Sequence, residues 1–244
     1  MMKRIGWLGL VTLLAATNTK AIVGGTEDKS PLAQATVMVL NSNGGMCSAV
    51  VVAPDAVLTA AHCVTGASEY RVHYKDEAGQ PVLIAPAKNA VHPGFEPKAI
   101  EARRRSIDLA LVRVPQPFPE RFARATLSSR LPAKGDTVTV GGYGLARENE
   151  PKTTGTFRTA DLKAIEPYGP SKILLWAQGA GAGACQGDSG GPMLVGGAVA
   201  AITSWSSAGK ERGCGGLTQG VLVAPQRDWI DKTLARWESK ALWD

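Results

Sequence analysis

The chain has 244 residues, 44% hydrophobic and 20% charged, with a formal charge of +6, and Lys3, Arg4 and Lys20 carry three of those positive charges. The 223 residues after position 21 therefore carry +3, a mild excess that argues for solubility and against a nucleic-acid partner. That length suits one large all-β domain or two fused small barrels.

The first element is a leader. Lys3 and Arg4 precede an apolar run from Ile5 to Ala16, and a small polar segment ends at Ala21. This is the layout of an export signal, residues 1–21, and its apolar run is too short to span a bilayer as a helix. Thr19 and Ala21 are small residues at the positions a signal peptidase reads, so the expected cut is Ala21–Ile22. The product is a secreted or periplasmic protein of residues 22–244 with no membrane attachment after cleavage.

Short β-rich runs follow: ATVMVL (35–40), SAVVVAPDAVLTA (48–60), YRVHY (70–74), LALVRV (109–114), DTVTVGGYG (136–144), KILLWA (172–177) and GAVAAITSW (197–205). Gly, Pro and Asp separate them, the pattern of a barrel or sandwich. Residues 115–134, rich in proline and charge, read as a linker between two halves. Past Pro225, Trp229, Ile230, Leu234 and Trp237 recur at helical spacing and predict one amphipathic C-terminal helix. Cys47, Cys63, Cys185 and Cys214 are an even set in an exported chain, which predicts two disulfides. Neither Cys-x-x-Cys nor a His pair at ligand spacing is present, so no metal site is expected.

Three segments carry chemistry. Thr59-Ala60-Ala61-His62-Cys63 presents a histidine after an apolar strand. Ser106-Ile107-Asp108-Leu109-Ala110-Leu111 presents an acid at the mouth of another. Cys185-Gln186-Gly187-Asp188-Ser189-Gly190-Gly191-Pro192 presents a serine in a glycine-rich turn. A hydroxyl is a poor nucleophile until a base removes its proton, and the base needs a buried acid to hold its tautomer. Glycines let backbone N–H groups face a developing oxyanion. The order His, Asp, Ser is the reverse of the α/β-hydrolase order, which weighs against an esterase of that type.

Residues 22–244 resemble the secreted trypsin/chymotrypsin-like serine peptidases. IVGG at 22–25, TAAHC at 59–63, DLAL at 108–111, GDSGGP at 187–192 and SW at 204–205 match that family in order. The resemblance implies an all-β fold of two six-stranded antiparallel barrels, about 22–120 and 121–244, with a C-terminal α-helix and a cleft between them. It implies Ser189 as nucleophile, His62 as general base and acid, and Asp108 as the group orienting His62. The N–H groups of Gly187 and Ser189 would form the oxyanion hole. Ser204, Trp205 and Ser206 would line the cleft and pair with substrate as an added strand. Cys47 would pair with Cys63, and Cys185 with Cys214. No cofactor is implied. The expected partners are protein or peptide substrates and a proteinaceous inhibitor, and the expected state is a monomer.

In this family Asp188 accepts an ion pair from the free α-amine of the mature N-terminus, here Ile22. With no room for a propeptide between the signal cut and IVGG, export and activation are expected to be a single cleavage.

Specificity departs from the trypsin type. The position six residues before Ser189 is Gly183, followed by Ala184, so no carboxylate awaits a basic side chain. Ser206 and Gly220 align with the pocket walls and Leu222 with its floor, which predicts an open apolar pocket for a medium or large apolar side chain. Glu211 is the acid that could reach in from elsewhere. Tyr143, where relatives carry Trp, reads as packing; His73 and His92 read as structural; Arg103-Arg104-Arg105 reads as a solvated loop. The alternative function is a catalytically inactive homologue acting as a binding protein.

Overall fold

The computed structural model describes residues 22–99, 102, 104–166, 172–208 and 213–244. The leader over 1–21, Arg103 and Glu211 lie outside them.

Nearly all regular structure is β. One sheet of seven antiparallel strands has the spatial order Pro81–Ile84, Tyr70–Lys75, Thr36–Asn41, Met46–Ala53, Ala56–Thr59, Ala110–Arg113, Lys88–Val91, a curved half-barrel. In the other, Pro192–Val195, Thr137–Gly142, Arg158–Ile165, Leu174–Gln178, Leu217–Leu222 and Ala198–Ser207 pair in turn, and the last pairs back to the first. This closes a six-stranded barrel, which removes both open edges. The expected all-β architecture with a terminal helix is what the structure shows.

Local sequence explains the elements. In Met46–Ala53 the β-branched run fits a pleated, fully covered surface. Pro54 and Asp55 break the expected 48–60 run into a hairpin, since proline cannot donate to the ladder. The stretch expected to be a linker contains a short strand, Thr126–Leu127, which pairs parallel with Val199 and with Leu242–Trp243. The C-terminal helix spans Arg227–Ala235, and Ile230 and Leu234 on it are fully buried, with Trp237 just beyond it also covered.

The cores place the site. One apolar cluster combines Val50, Leu58 and Leu111 of the first sheet with Val199, Ile202 and Val221 of the second, and with Ile230 and Leu234. The two sheets are thus packed against each other, and each fully buried aliphatic side chain contributes roughly 1.5–3 kcal/mol. A second cluster fills the first sheet and a third fills the closed barrel. Ile22, fully buried, belongs to the third.

Candidate active site

His62, Asp108 and Ser189 each lie just outside the end of a strand, His62 after one and the other two before one. His62 lies in a single turn of 3-10 helix, Ala61–Cys63, directly after Ala56–Thr59. Asp108 precedes Ala110–Arg113, the strand paired with Ala56–Thr59, with Thr59 opposite Ala110. That pairing brings residues 46 positions apart into contact: His62 Nδ1 lies 2.7 Å from Asp108 Oδ2, and the His62 backbone N–H donates to Asp108 Oδ1 at 2.9 Å.

Asp108 is buried and accepts a third bond, from the Ser204 hydroxyl at 2.6 Å. Burial pushes its carboxyl up, but the bonds and charge from His62, with the Ser204 bond, outweigh that and hold it below the ordinary carboxylate value. For His62, burial favours the neutral ring, yet the Asp108 bond and charge raise its pKa above the usual 6.5. The His62 side chain stays 42% exposed, so one edge of the ring remains open to a ligand.

Ser189 sits in the loop before Pro192–Val195 and lines the same cavity as His62, Asp108 and Ser204, a cleft of about 390 Å³. Among the described residues no hydrogen bond closes between Ser189 Oγ and His62; Nε2 lies 3.7 Å from Cys63 Sγ. In unliganded sites this bond is commonly open. Around the serine, the Asp188 N–H donates to Cys185 O at 3.1 Å, while the Gly187 and Ser189 N–H groups have no protein acceptor among the described residues. Two neighbouring free donors are what an oxyanion needs. Gly187 has φ +95°, and Gly190, at φ +82°, leaves no room for a side chain, since a Cβ there would collide with Ser48 O and Thr59 Oγ1.

Sequence reasoning missed Ser48. Fully buried on Met46–Ala53, it donates its N–H to Ser189 O at 2.8 Å and its hydroxyl to Gly187 O at 2.9 Å. The same hydroxyl accepts from Tyr143 N–H at 3.0 Å. One serine of the first sheet thereby holds the serine loop of the second. Its only signal in the sequence was adjacency to Cys47.

Asp188 is completely buried, accepting from Gly144 N–H at 2.8 Å and Cys185 N–H at 2.9 Å. Burial pushes its carboxyl up to about 7 against the opposing pull of those bonds and of Arg158. Ile22 is also completely buried, and Val23 bridges Gly183, whose N–H donates to Val23 O at 3.0 Å. No hydrogen bond links Ile22 to Asp188 among the described residues; with Ala21 preceding it in the chain, the Ile22 nitrogen is a neutral amide.

Of the other named residues, Trp205, Ser206, Cys185 and Cys214 line the cavity, whereas Gly183, Ala184, Gly220 and Leu222 are buried and do not line it. The disulfides are Cys47–Cys63 and Cys185–Cys214. His62 lies within metal-ligand reach of Cys47 and Cys63, but both sulfurs are consumed in the disulfide. His73 Nδ1 meets Val82 O, and His92 packs edge-on to Trp229 with its pKa lowered by burial. Tyr143 donates its hydroxyl to Thr36 O. Arg104 lines the cavity and pairs with Glu96 at 3.2 Å, and Arg105 is exposed.

The family model described as Trypsin matches residues 22–230, so the chain belongs to the trypsin family of serine endopeptidases. Kallikrein-15 of Saguinus oedipus is 30% identical, over 93% of this chain and 96% of its own length. Granzyme M of Rattus norvegicus is 28% identical, over 96% of this chain and 98% of its own. The solved structure of neuropsin, a serine protease expressed in the limbic system of mouse brain, superposes with a TM-score of 0.73 over 87% of this chain and 99% of its own, at 24% identity.

Proposed function

We propose that this serine endopeptidase works through His62, Asp108 and Ser189, cutting after apolar side chains. The observation that carries the reading is the convergence, from three distant segments, of the Asp108–His62 pair and Ser189 on one cleft beside two unengaged N–H groups. Ser189 Oγ attacks the scissile carbonyl while His62 Nε2 takes its proton. Asp108 keeps the ring proton on Nδ1 and stabilises the imidazolium, and Gly187 and Ser189 N–H hold the oxyanion. His62 then protonates the leaving amine, and water releases the acyl group by the reverse steps. The substrate backbone pairs along Ser204–Ser206 as an added strand. With Gly183 in place of an acid, a buried Lys or Arg would be an unpaired charge, so apolar residues are preferred.

The disulfides support a secreted or periplasmic location. Removal of residues 1–21 frees the Ile22 amine to pair with Asp188, which makes export and activation one event and leaves a monomer needing no cofactor. A proteinaceous inhibitor would occupy the same cleft.

The test is labelling of the mature protein with a fluorophosphonate and peptide mapping. An adduct on Ser189 that disappears in His62→Ala is expected. An unreactive Ser189 in correctly processed protein would establish instead the inactive, binding homologue.

A further inference from the structure

Gly187, whose N–H is one of the two donors free to meet an oxyanion, is held on one side by a methionine. A Cβ built on Gly187 would fall 2.7 Å from Met46 Cε and 2.8 Å from Gly144 Cα, so the glycine, at φ +95°, is clasped between the two. Met46 opens the strand Met46–Ala53 two residues before Ser48. Both side chains therefore leave the strand on one face, and both meet the same glycine. Three methionines follow position 21. Met38 and Met193 are buried, whereas Met46 is only half-buried and within reach of solvent. Several donors around its thioether are already spent: Gly144 N–H on Asp188 Oδ1, Tyr143 N–H on Ser48 Oγ, and the Ser48 hydroxyl on Gly187 O. The Gly187 and Ser189 N–H groups, by contrast, have no protein acceptor among the described residues.

We propose that Met46 is an oxidation site through which peroxide reversibly slows the enzyme, by turning this thioether against the oxyanion donors. The proposal rests on the endopeptidase reading. Met46 Sδ attacks one oxygen of hydrogen peroxide. The S–O bond forms as the O–O bond breaks, the sulfur gives up two electrons, and the second oxygen leaves as water. The sulfoxide is a polar, hydrogen-bond-accepting group where an apolar one was packed. An oxygen turned inward takes the N–H that the reaction reserves for the oxyanion. An oxygen turned to solvent draws the side chain off Gly187 and removes the contact that fixes it. Both weaken the transition state more than substrate binding, because the oxyanion exists only after attack on the carbonyl. The oxidised enzyme is slow rather than unfolded, and reduction of the sulfoxide restores it.

The experiment treats the mature enzyme with dilute hydrogen peroxide and follows Met38, Met46 and Met193 by peptide mapping. In parallel, kcat and KM are measured on a peptide p-nitroanilide with Leu before the anilide. Every cysteine is in a disulfide, so methionine is the sulfur that reacts. The kcat should fall in step with Met46 sulfoxide, to about a hundredth at full conversion, the loss typical of one oxyanion donor, while KM changes less than about threefold. The two methionine sulfoxide reductases, one for each epimer, should together restore it. Met46→Leu, a volume-conserving replacement, should keep its own untreated rate after the same exposure. Full conversion of Met46 with kcat unchanged, oxidation of Met38 or Met193 ahead of Met46, or an equal loss in Met46→Leu overturns the proposal. Fluorophosphonate labelling before treatment separates it from the endopeptidase reading: an untreated enzyme that neither labels nor cuts removes both. If Met46→Leu does not fold, the wild type and its reversal by the reductases still decide.

Discussion

An unprocessed N-terminus should leave a measurable mark on stability through Asp188. While residue 21 remains attached, the Ile22 nitrogen is uncharged, and the buried Asp188 carboxyl is pushed from 3.8 to about 7. A carboxyl held that far from its ordinary value favours its protonated form by about 4 kcal/mol, at about 1.36 kcal/mol for each pH unit. The folded unprocessed chain holds a proton that the unfolded chain releases above its ordinary carboxylate pKa. The group's contribution is therefore greatest below about pH 4 and declines as pH rises to about 7. In the processed form an ammonium faces the carboxylate, which stays ionised across that window, so this decline should vanish. The assay is urea unfolding of two Ser189→Ala proteins, one beginning at Ile22 and one carrying Ala21, at about pH 4.5 and about pH 7. The other carboxylates are common to both, so the difference between the two pH slopes isolates Asp188. We expect the extended form to lose about 3 kcal/mol more than the mature form over this interval. Equal slopes would refute the pairing of the Ile22 amine with Asp188.

Three other outcomes follow from the site. Ser189→Ala and His62→Ala should each lower kcat about a millionfold with the fold retained by circular dichroism, because the two act as a unit. The pH profile of kcat/KM should rise with a midpoint above 6.5, since Asp108 raises the pKa of His62 and only the neutral ring accepts a proton; a midpoint below 6.5 would contradict that pairing. Ser48→Ala should destabilise the protein by about 1–3 kcal/mol in urea titrations by leaving Gly187 O and Tyr143 N–H without their shared partner, and should lower kcat more than it changes KM.

Much of the fold was legible because β-branched runs sit between turn residues, as in Thr36–Asn41 and Thr137–Gly142. The missed strands have physical reasons. Arg158–Ile165 buries Arg158, Leu162 and Ala164 but exposes Asp161 and Lys163, so charge masks its alternation. Pro81–Ile84 begins with proline and carries the exposed Leu83, and it lies at the end of its sheet. Leu217–Leu222 contains Gln219 and Gly220, which weaken a strand pattern, yet it is central to the closed barrel. For the site, the motifs pointed to His62, Asp108 and Ser189 because each chemistry needs a distinctive residue in a distinctive turn. Ser48 and the Ser204 bond to Asp108 were invisible, because a small hydroxyl residue inside a strand has no local signature. Their roles come from what the other sheet, or the facing strand, brings to them.

The most direct measurement of the central claim is intact-mass and peptide-map analysis of mature enzyme quenched within milliseconds of mixing with an alanine p-nitrophenyl ester. The account predicts a burst of nitrophenol close to one equivalent and a single acyl group on Ser189, absent in Ser189→Ala. Turnover with no burst and no acylated Ser189, or turnover retained in Ser189→Ala, would contradict it.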